Sequence, residues 1–79
     1  MEHEELLQDD ATNHNSACLD SVWIIGDAIA NPNKYRGDET IIERNVGHLE
    51  IMRNTDLLTA ETLAAVDDAI SAGKAALTE

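Results

Sequence analysis

His14 and Cys18 are the two residues whose types and spacing come nearest to a metal site. They are four residues apart, so a helix would place both on one face. A structural zinc site needs four ligands and a catalytic one three, so His48 or an acidic residue would have to complete the set. The chain has no second Cys/His pair, and a cysteine on an apolar stripe is usually a small buried hydrophobe. We therefore predict neither a metal nor another cofactor.

Paired carboxylates, such as Asp67-Asp68 and Glu4-Glu5, have the chemistry for acid–base catalysis. Catalysis also requires a pocket that separates their pKa values, and adjacent residues on a helix point in different directions. The sequence shows no glycine-rich loop for phosphate and no motif of an activated nucleophile. We predict that the protein is not an enzyme and has no catalytic residues.

The charge of the chain constrains its partners. Sixteen acidic and five basic residues give the 79-residue sequence a formal net charge of −11, and its first 33 residues contain no lysine or arginine. A surface this negative repels phosphate backbones and anionic lipid, and it favours basic protein surfaces. We predict a protein partner with a basic surface, with no direct binding to nucleic acid or to membranes.

Three features predict a soluble, cytoplasmic protein. Residues 1–5 are acidic, unlike the basic start of a signal peptide. The single cysteine, Cys18, cannot form an intramolecular disulfide. The longest apolar run, residues 22–25, is far too short to span a membrane.

Two breaks divide the chain into predicted helices. Pro32 should end the first helix near Ala30, because proline disfavours helical geometry at the residue before it. The polar residues 54–56 should end the second helix. The sequence predicts an all-α fold, with a single small three-helix domain over residues 1–79 and a C-terminal helical hairpin. A core of this size supplies only about 3–5 kcal/mol, so we expect a homodimer.

The first helix is predicted from about Glu4 to Ala30 by one apolar stripe with spacings of three and four residues. The stripe consists of Leu7, Ala11, His14, Cys18, Val22, Ile25 and Ile29. Residues 12–16 are poor helix formers, however, and Asn15 or Ser16 would make a good N-cap. Residues 1–15 are therefore either mobile or an extension of the first helix.

The starts of the other two helices are predicted from their N-cap residues, and one glycine predicts where two helices cross. The second helix should begin after Asp38, with the Asp38 carboxylate as its N-cap. Gly47 interrupts this helix, which predicts a close helix crossing at that point. Thr59 is the predicted N-cap of the third helix. The apolar stripe of that helix consists of Leu63, Val66, Ile70, Gly73 and Leu77.

Residues 22–25 cover more than one helix face, so either Trp23 or Ile24 should point away from the core. For Trp23 both interpretations stay open: a core residue, or an anchor for a partner. The segment 34–36 is either an exposed connection or an aromatic anchor flanked by arginine. The predicted partner-binding residues are Trp23, Ile24, Tyr35, Asp20, Asp27 and Glu43.

Residues 44–52 (RNVGHLEIM) resemble short proteins encoded by bacteriophages and prophages. The resemblance continues in residues 57–61 (LLTAE) and 69–75 (AISAGKA), and it covers roughly the C-terminal half of the chain. It implies a helix with an asparagine, a His-Leu pair and a methionine, followed by a helix that ends in small residues. It implies no catalytic residues.

The phage context leads to two expected functions. In the first, the protein binds a host protein in the bacterial cytoplasm and inhibits or redirects it, for example at a basic surface that binds nucleic acid. In the second, it is a small structural or assembly component of the phage particle that acts through self-association.

Overall fold

The computed structural model describes the backbone of residues 2–78 and the side chains of residues 11–78. Within that range the fold is all-α and contains no strand. Its helices are α1 (Glu2–Ala30), α2 (Ile41–Met52) and α3 (Ala60–Leu77), with a short 3₁₀ helix (Pro32–Tyr35) between α1 and α2. Each α-helix packs against the other two. In residues 2–78, none of these helices is both long enough and apolar enough to cross a membrane.

The helix α1 ends at Ala30, as the position of Pro32 predicts, but it runs through residues 12–16 without a break. Asn15 explains the continuity. Its side-chain amide donates to the carbonyl oxygens of Ala11 (2.7 Å) and Leu57 (2.8 Å), and its Oδ1 accepts from the backbone N–H of Thr59 (3.0 Å). Contacts with the distant loop between α2 and α3 thus offset the poor local propensity. The interpretation of Asn15 as an N-cap is wrong.

The caps of α2 and α3 differ from one another. Thr59 caps α3 as predicted, because its Oγ1 accepts from the backbone N–H of Thr62 at 3.1 Å. Asp38 does not cap α2: that helix has Thr40 at its N-cap position, with no side-chain cap bond. The Asp38 carboxylate instead accepts from Arg44 Nη2 at 2.5 and 2.6 Å. The prediction for Asp38 is wrong because a charged partner one turn inside the helix takes its oxygens.

The core contains side chains from all three helices. Cys18 and Ile25 of α1, Leu49 of α2 and Val66 of α3 are almost completely buried. Cys18, Ile25 and Val66 belong to the predicted apolar stripes, and the partly buried residues Val22, Ile42, Met52 and Leu58 pack against the core. Ile29 and Leu77, which also belong to the predicted stripes, are exposed. The aliphatic core therefore forms where the three helices meet.

The close crossing of helices occurs at Gly73 and not at Gly47. A Cβ atom on Gly73 would overlap Val46 Cγ2 of α2, so α3 approaches α2 there more closely than a side chain allows. Beyond its own stretch of helix backbone, no atom lies within 4 Å of the corresponding position on Gly47. The prediction for Gly47 is wrong because this residue lies about 100° around α2 from Val46, away from the contact line.

Candidate protein-binding surface

His14 and Cys18, the candidate metal ligands, lie on the inner side of α1 and hold the fold together. His14 Nε2 donates to the backbone carbonyl of Met52, the last residue of α2, at 3.1 Å. Cys18 is fully buried, and this burial raises the pKa of its thiol. Among the described residues, no group of three or more histidine, cysteine, aspartate or glutamate side chains lies together in a way that suits a metal. The imidazole of His14 thus donates to a carbonyl oxygen that has no partner within α2, because that oxygen lies at the end of the helix.

A second polar contact joins α1 to α2 near the same place. Ser21, a buried residue of α1, and His48 of α2 share a hydrogen bond of 3.2 Å between Oγ and Nδ1. No buried side-chain nitrogen or oxygen in the described part of the chain lacks a partner. The described polar residues inside this small core are therefore satisfied within the chain.

Trp23 lies on the opposite, outer side of α1. Its exposed fraction is 61 %, so the core interpretation of Trp23 is wrong and Trp23 is the residue of the 22–25 run that points away from the core. Asp20 and Asp27 share this outer side, since spacings of three, four and seven residues return to one helix face. Ile24 is only half-buried. An exposed tryptophan on a rigid helix is a typical anchor for a protein partner.

The segment after α1 folds back onto this outer side and forms what we call the Asp27 cluster (Trp23, Asp27, Asn31, Lys34 and Tyr35). Asp27 accepts three hydrogen bonds: from Asn31 Nδ2 at 2.9 Å, Lys34 Nζ at 2.8 Å and the Tyr35 hydroxyl at 2.6 Å. Lys34 Nζ lies 5.2 Å from the centroid of the Trp23 ring and 5.8 Å from that of Tyr35. These distances are within the range of cation–π attraction.

The Asp27 cluster perturbs its own titratable groups. The hydrogen bonds from Lys34 and then Tyr35 lower the pKa of the Asp27 carboxyl. The same contacts raise the pKa values of the Lys34 ammonium and the Tyr35 hydroxyl, mainly through their hydrogen bonds to Asp27. Asp27 is therefore occupied within the chain, and it positions Lys34 and Tyr35 beside Trp23.

Most of the positive charge of the protein is neutralised internally. Four of the five basic residues form ion pairs: Lys34–Asp27 (2.8 Å), Arg44–Asp38 (2.5 Å), Arg53–Asp67 (2.7 Å) and Lys74–Glu50 (3.0 Å). The fifth, Arg36, donates to Asn33 Oδ1 at 3.0 Å. Within residues 11–78, the acidic residues outside these ion pairs are Asp20, Glu39, Glu43, Asp56, Glu61 and Asp68.

An apolar groove of about 370 Å³ lies between α1 and α3, and we call it the α1–α3 groove. Among the described side chains, the only charged one that lines it is Asp68. The other lining residues are small or aliphatic: Val22, Ile25, Gly26, Ala65, Ala69 and Ala72.

A neighbouring depression of about 490 Å³ extends from α1 to the loop before α3, and we call it the loop depression. Leu19, which is 45 % exposed, and Leu57 supply large apolar side chains to it, and Asp20 is the charged residue in its lining. Leu19 is three residues before Val22 and seven before Gly26, so it continues the line of the α1–α3 groove along α1. The two concave surfaces therefore lie next to each other along α1.

The structure brings together only part of the predicted contact set. Trp23, Asp27 and Tyr35 meet in the Asp27 cluster, and Asp20 lies on the same helix. Glu43 is exposed on α2, and the hydrogen bonds and ion pairs described for residues 11–78 do not connect it to Trp23 or Asp27.

The sequence did not predict the α1–α3 groove, although two of its lining residues, Val22 and Ile25, belong to the predicted apolar stripe of the first helix. A signal for its lining on α3 was present, because Ala65, Ala69 and Ala72 recur at helical spacing on that helix. It did not show which helix those alanines would face.

The described residues define a small, acidic, all-α protein with an exposed aromatic cluster and an apolar groove. No family model matches the chain, and neither a curated protein nor a solved structure shows significant similarity to it. The surface itself carries the evidence for function: its unpaired charges, its exposed apolar side chains, and the places where the two lie together.

Proposed function

We propose that the protein acts by binding another protein that has a basic surface. The observation that carries this proposal is the internal pairing of four of its five basic residues. Most basic side chains are already paired with carboxylates of the same chain. The negative charge of the unpaired carboxylates on α1, α2 and α3 is therefore not neutralised by neighbouring basic side chains, and it attracts a basic partner. Such a field speeds association with a basic surface and disfavours acidic ones.

In this proposal the partner is a host protein in the bacterial cytoplasm, which the protein inhibits or redirects. The resemblance of residues 44–52, 57–61 and 69–75 to phage-encoded proteins supports a host context. A basic surface that normally binds nucleic acid is the kind of target that suits a net charge of −11. The role is one of binding, without catalysis, a cofactor, or direct contact with nucleic acid or membranes.

The proposed contact residues are Trp23, Ile24, Tyr35, Asp20, Asp27 and Glu43. Among them Trp23 should contribute most, since it is large, exposed and held on a helix. Asp20 and Glu43 are exposed carboxylates that can meet a basic residue directly. Asp27 should act through Lys34 and Tyr35, because its oxygens already accept their hydrogen bonds.

A capture experiment from bacterial lysate tests the proposal. Wild-type protein, Trp23→Ala and Ile51→Ala are immobilised in parallel, and the bound proteins are identified and quantified. Ile51 is the matched control because it is also a large exposed apolar residue, 75 % exposed, but lies on α2. We expect the wild type and Ile51→Ala to retain one host protein in stoichiometric amount, and Trp23→Ala to lose most of it.

Salt provides the second measurement in the same experiment. At ~1 M salt the screening length falls to ~3 Å, so an electrostatically guided complex should dissociate or form much more slowly. Retention that is unchanged at ~1 M salt would contradict the role of the acidic surface. Capture of phage structural proteins alone would contradict a host target.

The second candidate function is a structural or assembly component that acts through self-association as a homodimer. The exposed side chains of Ile51 and Leu77 favour it, because they are apolar residues on α2 and α3 that this chain leaves uncovered. In this arrangement α2 and α3 form a helical hairpin whose outer side meets a second copy. Sedimentation equilibrium of the wild type and Ile51→Ser distinguishes the two functions: a dimer that Ile51→Ser dissociates supports self-association.

A further inference from the structure

We propose that the α1–α3 groove is the docking site for one α-helix of the partner, and that this helix has an apolar stripe with lysine or arginine beside it. The inference rests on the proposed function and names the surface and the structural element of the partner. It follows from the shape of the groove, the apolar residues at its edge and the distribution of unpaired charge.

The shape of the groove suits a helix. Two roughly cylindrical helices, α1 and α3, form its walls, and an amphipathic helix that packs into such a groove is a recurring mode of recognition. Its lining side chains on α3 are alanines except for Asp68, and α1 contributes Gly26. Small side chains let the axis of a third helix approach toward the short end of the 8–10 Å range of helix packing.

Apolar side chains along one edge of α1 would cover the docked helix. Leu19, Val22 and Gly26 follow one another at spacings of three and four residues, and Trp23 lies beside them. Seven residues of helix rise by about 10 Å, which corresponds to about two turns of a docked helix. Trp23 would pack against the flank of that helix and lose solvent-exposed surface there, and tryptophan is enriched among the residues that dominate binding energy.

The charges favour a basic partner helix over other occupants. Asp68 lines the groove and Asp20 lines the loop depression next to it, and neither belongs to an ion pair within residues 11–78. None of the described side chains lining these two surfaces is basic. A lysine or arginine beside the apolar stripe of the partner would therefore meet an unpaired carboxylate.

A second copy of this chain fits the groove less well. In a two-fold dimer each surface faces its own copy, so the Asp68 side chains of both copies would be brought to the same boundary. Each copy also carries a net charge of −11, and none of the described residues that line the groove is basic and could offset the repulsion. We therefore commit to a helix of a different protein.

Two designed peptides test the inference. The first is a capped helix of about five turns with leucines on one stripe and lysine and arginine beside it. The second has the same composition in scrambled order, so its charge is equal but its stripe is lost. Neither contains tryptophan, so the fluorescence of Trp23, the only tryptophan of the protein, reports binding at the edge of the groove. We expect the first peptide to bind at least about tenfold more tightly, a difference of about 1.4 kcal/mol.

Variants locate the binding on the groove. Gly26→Leu adds a side chain where no atom lies within 4 Å of the Cβ position, so it should fill the groove without disturbing the fold. Asp68→Lys reverses the charge in the lining. The matched control is Glu39→Lys, which changes the net charge by the same amount at an exposed position outside the groove lining and outside the proposed contact residues. We expect binding of the first peptide to weaken at least about tenfold in Gly26→Leu and Asp68→Lys, and less than about threefold in Glu39→Lys.

Circular dichroism melting checks that every variant is folded, and Ala72→Leu replaces Gly26→Leu if that variant is not. Equal binding of the two peptides, or no binding at all, overturns the inference. Equal weakening by Asp68→Lys and Glu39→Lys also overturns the inference, but it leaves the proposed function intact, because net charge would then guide binding at another place. A dimer of the free protein that Gly26→Leu dissociates shows instead that a second copy occupies the groove.

Discussion

The two flanks of α3 meet their neighbouring helices in different ways. On the side of α2, Gly73 lies directly against Val46, and the ion pairs Arg53–Asp67 and Lys74–Glu50 join the two helices. On the side of α1, alanines and Asp68 border an open groove, and no ion pair within residues 11–78 joins α1 to α3. Both flanks of α3 pack against a neighbouring helix, but the α2 side is also joined by ion pairs, whereas on the α1 side an apolar groove stays accessible beside the packed residues.

Because of this difference, we expect the residues of α3 that stabilise the fold to differ from the residues of α3 that bind a partner. Asp67 and Asp68 are adjacent in the sequence, yet Asp67 forms a two-point contact with Arg53 while Asp68 lines the groove. Residues that tie α3 to α2 should therefore affect unfolding, and residues on the groove side should affect partner binding. Changes at the two flanks should thus be experimentally separable.

The largest expected effect is at the α2 flank of α3. Gly73→Leu should destabilise the protein by about 3 kcal/mol or more, because the added side chain must displace buried Val46 in a tightly packed crossing. Gly47→Leu is the matched control, since the same change in open space should stabilise α2 by about 0.5–1 kcal/mol. Urea unfolding measures both free energies. Equal stability of the two variants would mean that α3 does not approach α2 at Gly73.

A smaller effect is expected from the ion pairs that cross the same flank. A double-mutant cycle with Arg53→Met and Asp67→Asn should give a coupling energy of up to about 1 kcal/mol, because both side chains are more than a third exposed. The pair Lys74–Glu50, with a single contact of 3.0 Å and more exposure on average, should couple less. Thermal unfolding in low and high salt measures both couplings. A stronger coupling for Lys74–Glu50 would reverse our ranking of the two contacts.

The smallest effect concerns the Asp27 cluster on α1. Because Asp27 has a lowered pKa in the folded state, it stabilises the fold above its ordinary pKa of about 3.9, and this contribution is lost as the pH falls through the lowered value. Asp27→Asn should remove that part of the acid dependence of unfolding. Asp20→Asn, an exposed residue of the same helix, is the control.

Tyr35 gives an independent measurement of the same cluster. It is the only tyrosine of the chain, so the ultraviolet absorbance of tyrosinate reports it alone. Its raised pKa should keep the hydroxyl protonated above pH of about 10 in the wild type, and stability from this contact is lost only as the pH rises through the raised value. In Asp27→Asn the pKa should return toward about 10. An identical titration of Tyr35 in both proteins would show that the hydrogen bond is not formed.

Local signals predicted the elements of this fold correctly. Pro32 ends α1 at Ala30, residues 54–56 lie between α2 and α3, and Thr59 caps α3. Each of these signals acts on the backbone within a few residues, through a fixed φ angle or a short hydrogen bond, so one sequence suffices to identify it. The apolar stripes likewise included Cys18, Ile25, Val66 and Ile70 of the buried core, but Ile29 and Leu77, which also belong to them, are 41 % and 46 % exposed.

Longer-range contacts were predicted less well. Asn15 or Ser16 was offered as an N-cap because these residue types suit that position and residues 12–16 are poor helix formers. In the structure, a loop more than forty residues away accepts and donates hydrogen bonds of Asn15. Asp38 was assigned as a cap, and Arg44 takes it as an ion partner. For the candidate site, the periodicity of α1 placed Trp23 beside the acidic residues, but the return of residues 31–35 onto Asp27 depends on a turn after the helix ends.

The sequence by itself determined an acidic, all-helical chain, because composition and short-range backbone preferences are properties of the residues alone. Only the tertiary structure decided that Gly73 marks the crossing of α2 and α3, that Asp67 is paired while Asp68 lines a groove, and that Trp23 lies outside the core. The reason is physical: a helix has several faces that its own sequence leaves equivalent, and packing against the other two helices selects which face is closed and which stays open.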